Sequence, residues 1–155
     1  MHRRRESLIL HSSLEAAFEA AVIGHWPTPG GGTHRVSPGA RYLRQDGRIA
    51  RHGRIIHAQP PITLALRELL VAPVPVMRVY FRYRFEPRGD RTLLVLETRL
   101  TLFAPARLTP WIWQARVRAE NHHRLLRMRG IAEAWAGRSA APPAAPWLSV
   151  DRTRH

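Results

Sequence analysis

Four side chains in this sequence have the chemistry to move a proton or hold a developing negative charge: Arg54, Glu68, Tyr83 and His123. Glu68 lies in ITLALRELLV, on the alternation face of Ile62, Leu64, Leu66 and Leu70. A buried carboxylate is costly unless paired, and burial raises its pKa towards general-acid use. Arg67, its neighbour, then faces outward. A bulge would swap the two, so both are candidates, Arg67 as a ligand contact. Tyr83 shares the apolar face of its strand. It is either a core residue with a satisfied hydroxyl or a donor to a bound carbonyl. Arg54, between Gly53 and Ile55, has no determined face. Buried, it would hold an enolate as a fixed cation. Exposed, it is one surface arginine among 25. His122 and His123 follow Glu120 and Asn121 in a helical stretch. Turned to a cavity they would shuttle protons near neutral pH. Otherwise they border an apolar stripe. Adjacent helical residues diverge by ~100°, which makes the pair a poor metal clamp. HExxH is absent and the other histidines are scattered, so no metal is expected. Trp111 and Trp113 either gate a cavity or pack in a core.

The elements that position these residues are legible from spacing. SLILH, from Ser7 to His11, is a short strand candidate. SSLEAAFEAAV follows, with Ser12 and Glu15 spaced as a capping box. Leu14, Ala17, Phe18, Ala21 and Val22 form one helical stripe, and Gly24 ends it. HWPTPGGGTHRVSPG is a loop, because its prolines and glycines break both periodicities. Its triple glycine lacks the lysine and hydroxyl of a P-loop. A long loop of this kind can cover a pocket.

From Ala40 to Phe103 the chain reads as a meander of antiparallel strands bounded by turn residues. ARYLRQ turns at Asp46-Gly47. RIAR and RIIHA turn near His52-Gly53 or form one bent strand, ending at Pro60-Pro61. In RVYFRYRFEPRGDRTLLVLETRL, Met77, Val79, Phe81, Tyr83 and Phe85 share one face with Leu94, Leu96, Thr98, Leu100 and Leu102. Arg78, Tyr80, Arg82, Arg84 and Glu86 share the wet face, where Glu97 and Arg99 join them for cross-strand pairing. Phe81 and Thr98 are therefore candidate ligand contacts. Pro87-Arg88-Gly89-Asp90 is the reversal between two strands, since glycine supplies the positive φ of such a turn.

Thr109-Pro110 opens a long helix to about Trp135, with an N-cap and a proline at the first turn. One stripe holds Ile112, Ala115, Ala119, His122, His123, Leu126 and Gly130. A second holds Trp113, Val117, Met128, Ile131 and Trp135. A helix apolar on two sides has two things to cover. The sheet is one, and the N-terminal helix, a loop or a second subunit of a homodimer is the other. Trp111, Ile112, Ala119 and His122 join the candidate ligand contacts on the first reading. GRSAAPPAAPWLSVDRTRH, residues 138–155, reads as disordered or loosely docked.

Composition bounds the function. The chain has 155 residues, enough for one domain with one core. It has no cysteine, so no disulfide framework and no thiolate chemistry. No apolar run reaches a membrane span, and MHRRRESLIL lacks the apolar middle of a signal peptide, so the protein is read as cytoplasmic. The formal charge is +14. Every basic residue is arginine, and lysine is absent, which reflects coding bias in a GC-rich genome. The arginines are spread along the sequence, with only Arg3-Arg4-Arg5 as a run, so a nucleic-acid partner is not expected.

The order strand, helix, loop, meander, long helix resembles the helix-grip or START-like fold of the SRPBCC superfamily. SLILHSSLEAAFEAA resembles its opening strand and helix. GRIARHGRIIHAQPPITLALREL resembles its double-proline corner, FRYRFEPRGDRTLLVLETRL its hairpin, and NHHRLLRMRGIAEAW the end of its long helix. The match spans Glu6 to Gly137, within a domain of residues 1–137. The resemblance implies an α+β fold, a curved antiparallel sheet wrapped around the C-terminal helix, and an internal cavity for a hydrophobic or polyaromatic small molecule. LRELLVAPVPVM further resembles a segment of bacterial polyketide aromatase/cyclases. It implies cofactor-independent condensation and dehydration of a poly-β-ketone, with Arg54, Glu68, Tyr83 and His123 in catalytic roles. A non-catalytic carrier with the same cavity is the alternative, and a basic module docking on RNA or the ribosome is a third.

Overall fold

The computed structural model describes residues 1–25 and 36–137. The expectations for the triple-glycine loop and the Pro/Ala-rich tail lie outside these residues. Six strands are joined in one antiparallel sheet: β1 (His2–Leu10), β2 (Arg41–Asp46), β3 (Ile49–Gln59), β4 (Thr63–Val71), β5 (Pro75–Arg88) and β6 (Arg91–Leu102). Their spatial order is β1-β6-β5-β4-β3-β2. The meander therefore folds in sequence order, and β1 returns to pair with β6. Helices α1 (Leu14–His25) and α2 (Pro110–Ala136) pack on one face of the sheet and on each other.

Alternation decides which face the helices cover. Met77, Val79, Phe81, Tyr83 and Phe85 are buried against the helices together with Leu94, Leu96, Leu100 and Phe18. Their outward neighbours on β5 are exposed or half-buried. Glycine at position 89 takes φ 64° in the β5–β6 reversal, as the Arg-Gly-Asp tripeptide requires of a tight turn. Glu97, opposite Arg82, is instead held by Arg3 of β1 at 3.3 Å.

Both ends of α1 differ from the sequence reading, and β1 runs His2–Leu10 where Ser7 to His11 was expected. The cap of α1 is Ser13, whose Oγ accepts the Ala16 amide hydrogen at 3.2 Å. Ser12 faces the sheet, and its carbonyl accepts the Thr92 hydroxyl at 2.8 Å. Gly24 does not end α1. A Cβ there would come within 3.0 Å of Met128, so glycine lets the two helices approach, and the helix runs one residue further to His25. Of the two readings left open for the stretch around His52-Gly53, the one bent strand holds: β3 is continuous, with a register shift between Ile55 and His57.

The stripes of α2 also exchange roles. Ile112, Ala115, Ala119, His122, His123, Leu126 and Gly130 all face out. The inward face is Val117, Asn121, Arg124, Leu125, Met128 and Ala132. Two polar residues interrupt that face, so counting apolar positions undervalues it. Their polarity is satisfied in the interior by a cluster of side chains.

Candidate functional site

The cluster is centred on Glu68, which β4 directs inward and which is 2% exposed. One carboxylate oxygen accepts from the Tyr42 hydroxyl and lies 3.1 Å from His25 Nδ1. The other accepts from Arg51 Nη1 at 3.2 Å. The second ring nitrogen of His25, Nε2, is 2.5 Å from the Tyr83 hydroxyl. With an anionic Glu68, Nδ1 carries the hydrogen and donates to the carboxylate. Nε2 is then the acceptor for the Tyr83 O–H. A chain of hydrogen bonds thus runs Tyr83 to His25 to Glu68.

Electrostatics support this assignment. Burial pushes the His25 pKa down to about 4, and the Arg124 charge adds to the effect, so the imidazole is neutral at pH 7. Burial alone would raise Glu68. The His25 hydrogen bond, the Arg124 charge and the Tyr42 hydroxyl outweigh it and hold the carboxylate well below its usual range. Burial raises the Tyr83 hydroxyl, while Arg124 beside it pulls the other way. Tyr42 is raised by burial and by the Glu68 charge. Both phenols are therefore protonated donors at rest.

Arg51, from β3, is 4% exposed and bridges three carboxylates: Glu68, Asp46 at 2.6 Å and Glu120 at 2.6 Å. Asn121 of α2 donates to Thr98 at 3.0 Å and to Glu6 at 3.2 Å. Arg124 donates to the Asn121 carbonyl at 3.4 Å and lies over the Phe81 ring, 4.7 Å from its centroid.

Above the cluster opens a cleft of about 340 Å³ between α2 and strands β2 and β3. Arg51 and Arg124 are its most buried cations. Arg44, Arg116, Arg127 and His123 line the rest, against only Asp46 and Glu120. A cleft lined mostly by one sign of charge concentrates ligands of the other. Further in, Phe81, Tyr83 and Phe85 belong to the buried core beside the cluster.

Of the residues singled out by sequence, Glu68, Tyr83, Phe81 and Thr98 come together in this region. His123 is exposed at the cleft. Arg54 and Arg67 are exposed on the opposite face of the sheet and are paired with each other in register. Two-residue alternation puts Arg51, not Arg54, with Ile49 and Ile55. No bulge intervenes at Glu68, so Arg67 stays outside. Trp111 and Ile112 are 64% and 54% exposed, and Ala119 and His122 are exposed as well, because they lie on the outer stripe of α2.

Sequence reasoning missed His25, Tyr42, Arg51, Asn121 and Arg124. Some signals were present. His25 continues the α1 stripe at i+7 from Phe18 and i+4 from Ala21, and Arg124 sits seven after Val117 and four before Met128. Among the described residues, no group of three His, Asp or Glu side chains is placed to hold a metal, and no helix is long and apolar enough to cross a membrane.

No family model and no curated protein matches the chain. Solved structures do. The Aha1 dimer from Colwellia psychrerythraea aligns with a TM-score of 0.63 at 11% identity, over 86% of this chain and 97% of that one. Ara h 8.0201 aligns at 0.62 and 14% identity, over 86% and 98%. The di-domain ARO/CYC StfQ from the steffimycin biosynthetic pathway aligns at 0.55 and 12% identity, over 87% of this chain and 51% of StfQ. The shared feature is the fold: an antiparallel sheet gripping a long C-terminal helix, the helix-grip fold.

Proposed function

We propose that this protein binds a planar, oxygen-rich aromatic or polyketide-like molecule in the arginine-lined cleft, and that it acts on it as a cofactor-independent cyclase. The observation that carries this reading is the convergence of ionisable groups beneath the cleft. A lipid carrier has no use for Arg51, Arg124, Glu68, His25 and Tyr83 in one place. Guanidinium planes stack on aromatic rings and pair with phenolate, carboxylate or enolate oxygens. Enzyme neighbours on this fold, such as the ARO/CYC StfQ, give the reading a precedent of fold only.

The chemistry follows from the hydrogen-bond chain. Arg124 moves off Phe81 as the ligand enters, which opens Tyr83 to the cleft. A C–H proton flanked by two carbonyls passes to the Tyr83 oxygen as the Tyr83 proton passes to His25 Nε2. The imidazolium so formed is stabilised by Glu68, and the enolate oxygen by Arg124 and Arg51. Return of the protons during condensation or loss of water restores the resting state. Each group acts through position and charge.

One observation favours a binder without turnover: Tyr83 is fully buried and its hydroxyl is already satisfied. Calorimetric titration with a hydroxyanthraquinone carboxylate tests the common part of both readings. Binding in the micromolar range, weakened tenfold or more in Arg124→Gln/Arg127→Gln, is expected. No binding, or equal binding by the variant, overturns the site. Tyr83→Phe separates the two readings: it keeps binding in both, and it abolishes conversion of a poly-β-ketone thioester mimic only if the protein is an enzyme.

A further inference from the structure

The face of the sheet turned away from the helices carries a second feature. Strand register aligns one residue from each strand in a single row: Arg3, Arg99, Tyr80, Arg67, Arg54 and Arg41. Their sequence positions are far apart, and only the pairing of six strands brings them together. Scatter in sequence is not scatter in space. Strands lie about 4.8 Å apart, so the row runs about 24 Å across the sheet.

The row is electrostatically unfavourable by itself. Like charges directly opposite on neighbouring strands repel. Arg3 is paired with Glu97, and Arg99 lies over the Tyr80 ring at 5.9 Å. Among the described residues, no salt bridge or hydrogen bond holds the side chains of Arg41, Arg54 or Arg67, which are exposed and consecutive in the row. Beside these three runs a groove of about 430 Å³, lined also by Leu43, His52 and Leu69. That arginine rather than lysine fills these positions says nothing, since the chain has no lysine. Their placement is what calls for a partner.

We infer that this outer face docks a single-stranded nucleic acid, with the arginine row tracking its phosphates and the groove and Tyr80 receiving bases. The row is linear, as a polymer backbone is, and a flat anionic bilayer would be met by a broader patch. It is interrupted by an aromatic ring, and it adjoins a recess with apolar walls. Sequence-tolerant strand binding combines these parts: cations along the backbone, and stacking surfaces for bases. Tyr42 lines the groove as well as bonding Glu68, but Arg41, Arg54 and Arg67 line neither the ligand cleft nor its buried cluster, so the two surfaces can be tested independently through them.

The test is fluorescence anisotropy of the full chain with a labelled 20-nucleotide single-stranded RNA of mixed sequence, at several salt concentrations. The variant Arg41→Gln/Arg54→Gln/Arg67→Gln is compared with Arg88→Gln/Arg118→Gln/Arg129→Gln, which removes the same charge from the hairpin tip and α2. Thermal melts check that both remain folded. The row variant is expected to bind at least tenfold more weakly. Its slope of log affinity against log salt is expected to shrink by about 2, since each phosphate no longer neutralised lowers the slope by about 0.7. The control is expected to stay within a few-fold of the parent. Equal losses in both variants would show that net charge alone drives binding and would overturn the proposal. So would absence of RNA binding at 50 mM salt. Sedimentation with vesicles containing phosphatidylserine provides the other arm. Row-dependent vesicle binding combined with row-independent RNA binding would assign the face to a membrane and reject the inference.

Discussion

Glu68 is the residue on which most of the interior depends. It accepts hydrogen bonds from His25, Tyr42 and Arg51, and all four side chains are buried. Removing one charge from such a group leaves its partners uncompensated. Arg51 keeps Asp46 and Glu120, which limits the damage. Glu68→Gln should therefore destabilise the fold by about 2–4 kcal/mol in urea melts at pH 7. A loss below about 1 kcal/mol would mean that the cluster is less tightly coupled than its distances indicate. His25 adds a pH dependence with a definite sign. Its pKa falls from 6.5 in the unfolded chain to about 4 in the fold. Between these values the unfolded chain binds the extra proton and the folded one does not. The stability from keeping His25 neutral is complete above 6.5 and is lost as pH falls towards 4. From pH 7 to pH 5 the expected loss is about 2 kcal/mol. Urea melts at the two pH values should show it, and His25→Gln should largely remove it. Glu68 adds to acid sensitivity only lower down, below its unfolded value of 4.5.

At the scale of elements, the strands were the legible part. Period-two alternation identified the inner face of β5 and β6, and it placed Glu68 and Tyr83 inside. Arg51 escaped notice because one arginine among 25 carries no mark of burial. Tyr42 did so because RYLRQ alternates between polar side chains and shows no apolar face. On α2 the inner stripe was hidden by Asn121 and Arg124, whose partners lie on α2 and on distant strands. Gly53 shows why a glycine in the middle of a strand need not be a turn. It lies opposite Tyr42, and a Cβ there would overlap three atoms of the Tyr42 ring. The missing side chain is the space in which that ring lies, and the ring's position brings its hydroxyl to Glu68. Gly53→Ala should cost about 2–3 kcal/mol through this overlap. In a Tyr42→Ala background the same change should cost under about 1 kcal/mol, because the obstructing ring is gone. Equal costs in both backgrounds, read from denaturant midpoints, would place the requirement in the backbone instead.

For the whole molecule, 25 arginines against 11 acidic residues leave a charge of +14 that compaction must overcome. Three of the acids, Asp46, Glu68 and Glu120, hold the buried Arg51. Buried pairs of this kind are only weakly screened by salt. On the outer face Arg41, Arg54 and Arg67 stand opposite one another. Repulsion between exposed charges is screened over about 10 Å at 0.1 M salt. The balance predicts that sodium chloride stabilises this protein, with the melting temperature rising by a few degrees between 20 and 300 mM. Replacing Arg41, Arg54 and Arg67 by glutamine removes two opposed pairs. The variant should melt about 2–5 °C higher than the parent at 20 mM salt, and its further gain on adding salt should be smaller. A melting temperature that falls as salt is added would instead make surface ion pairs the dominant electrostatic contribution. The row would then be a neutral feature of the surface, without the strain that a polyanion would relieve.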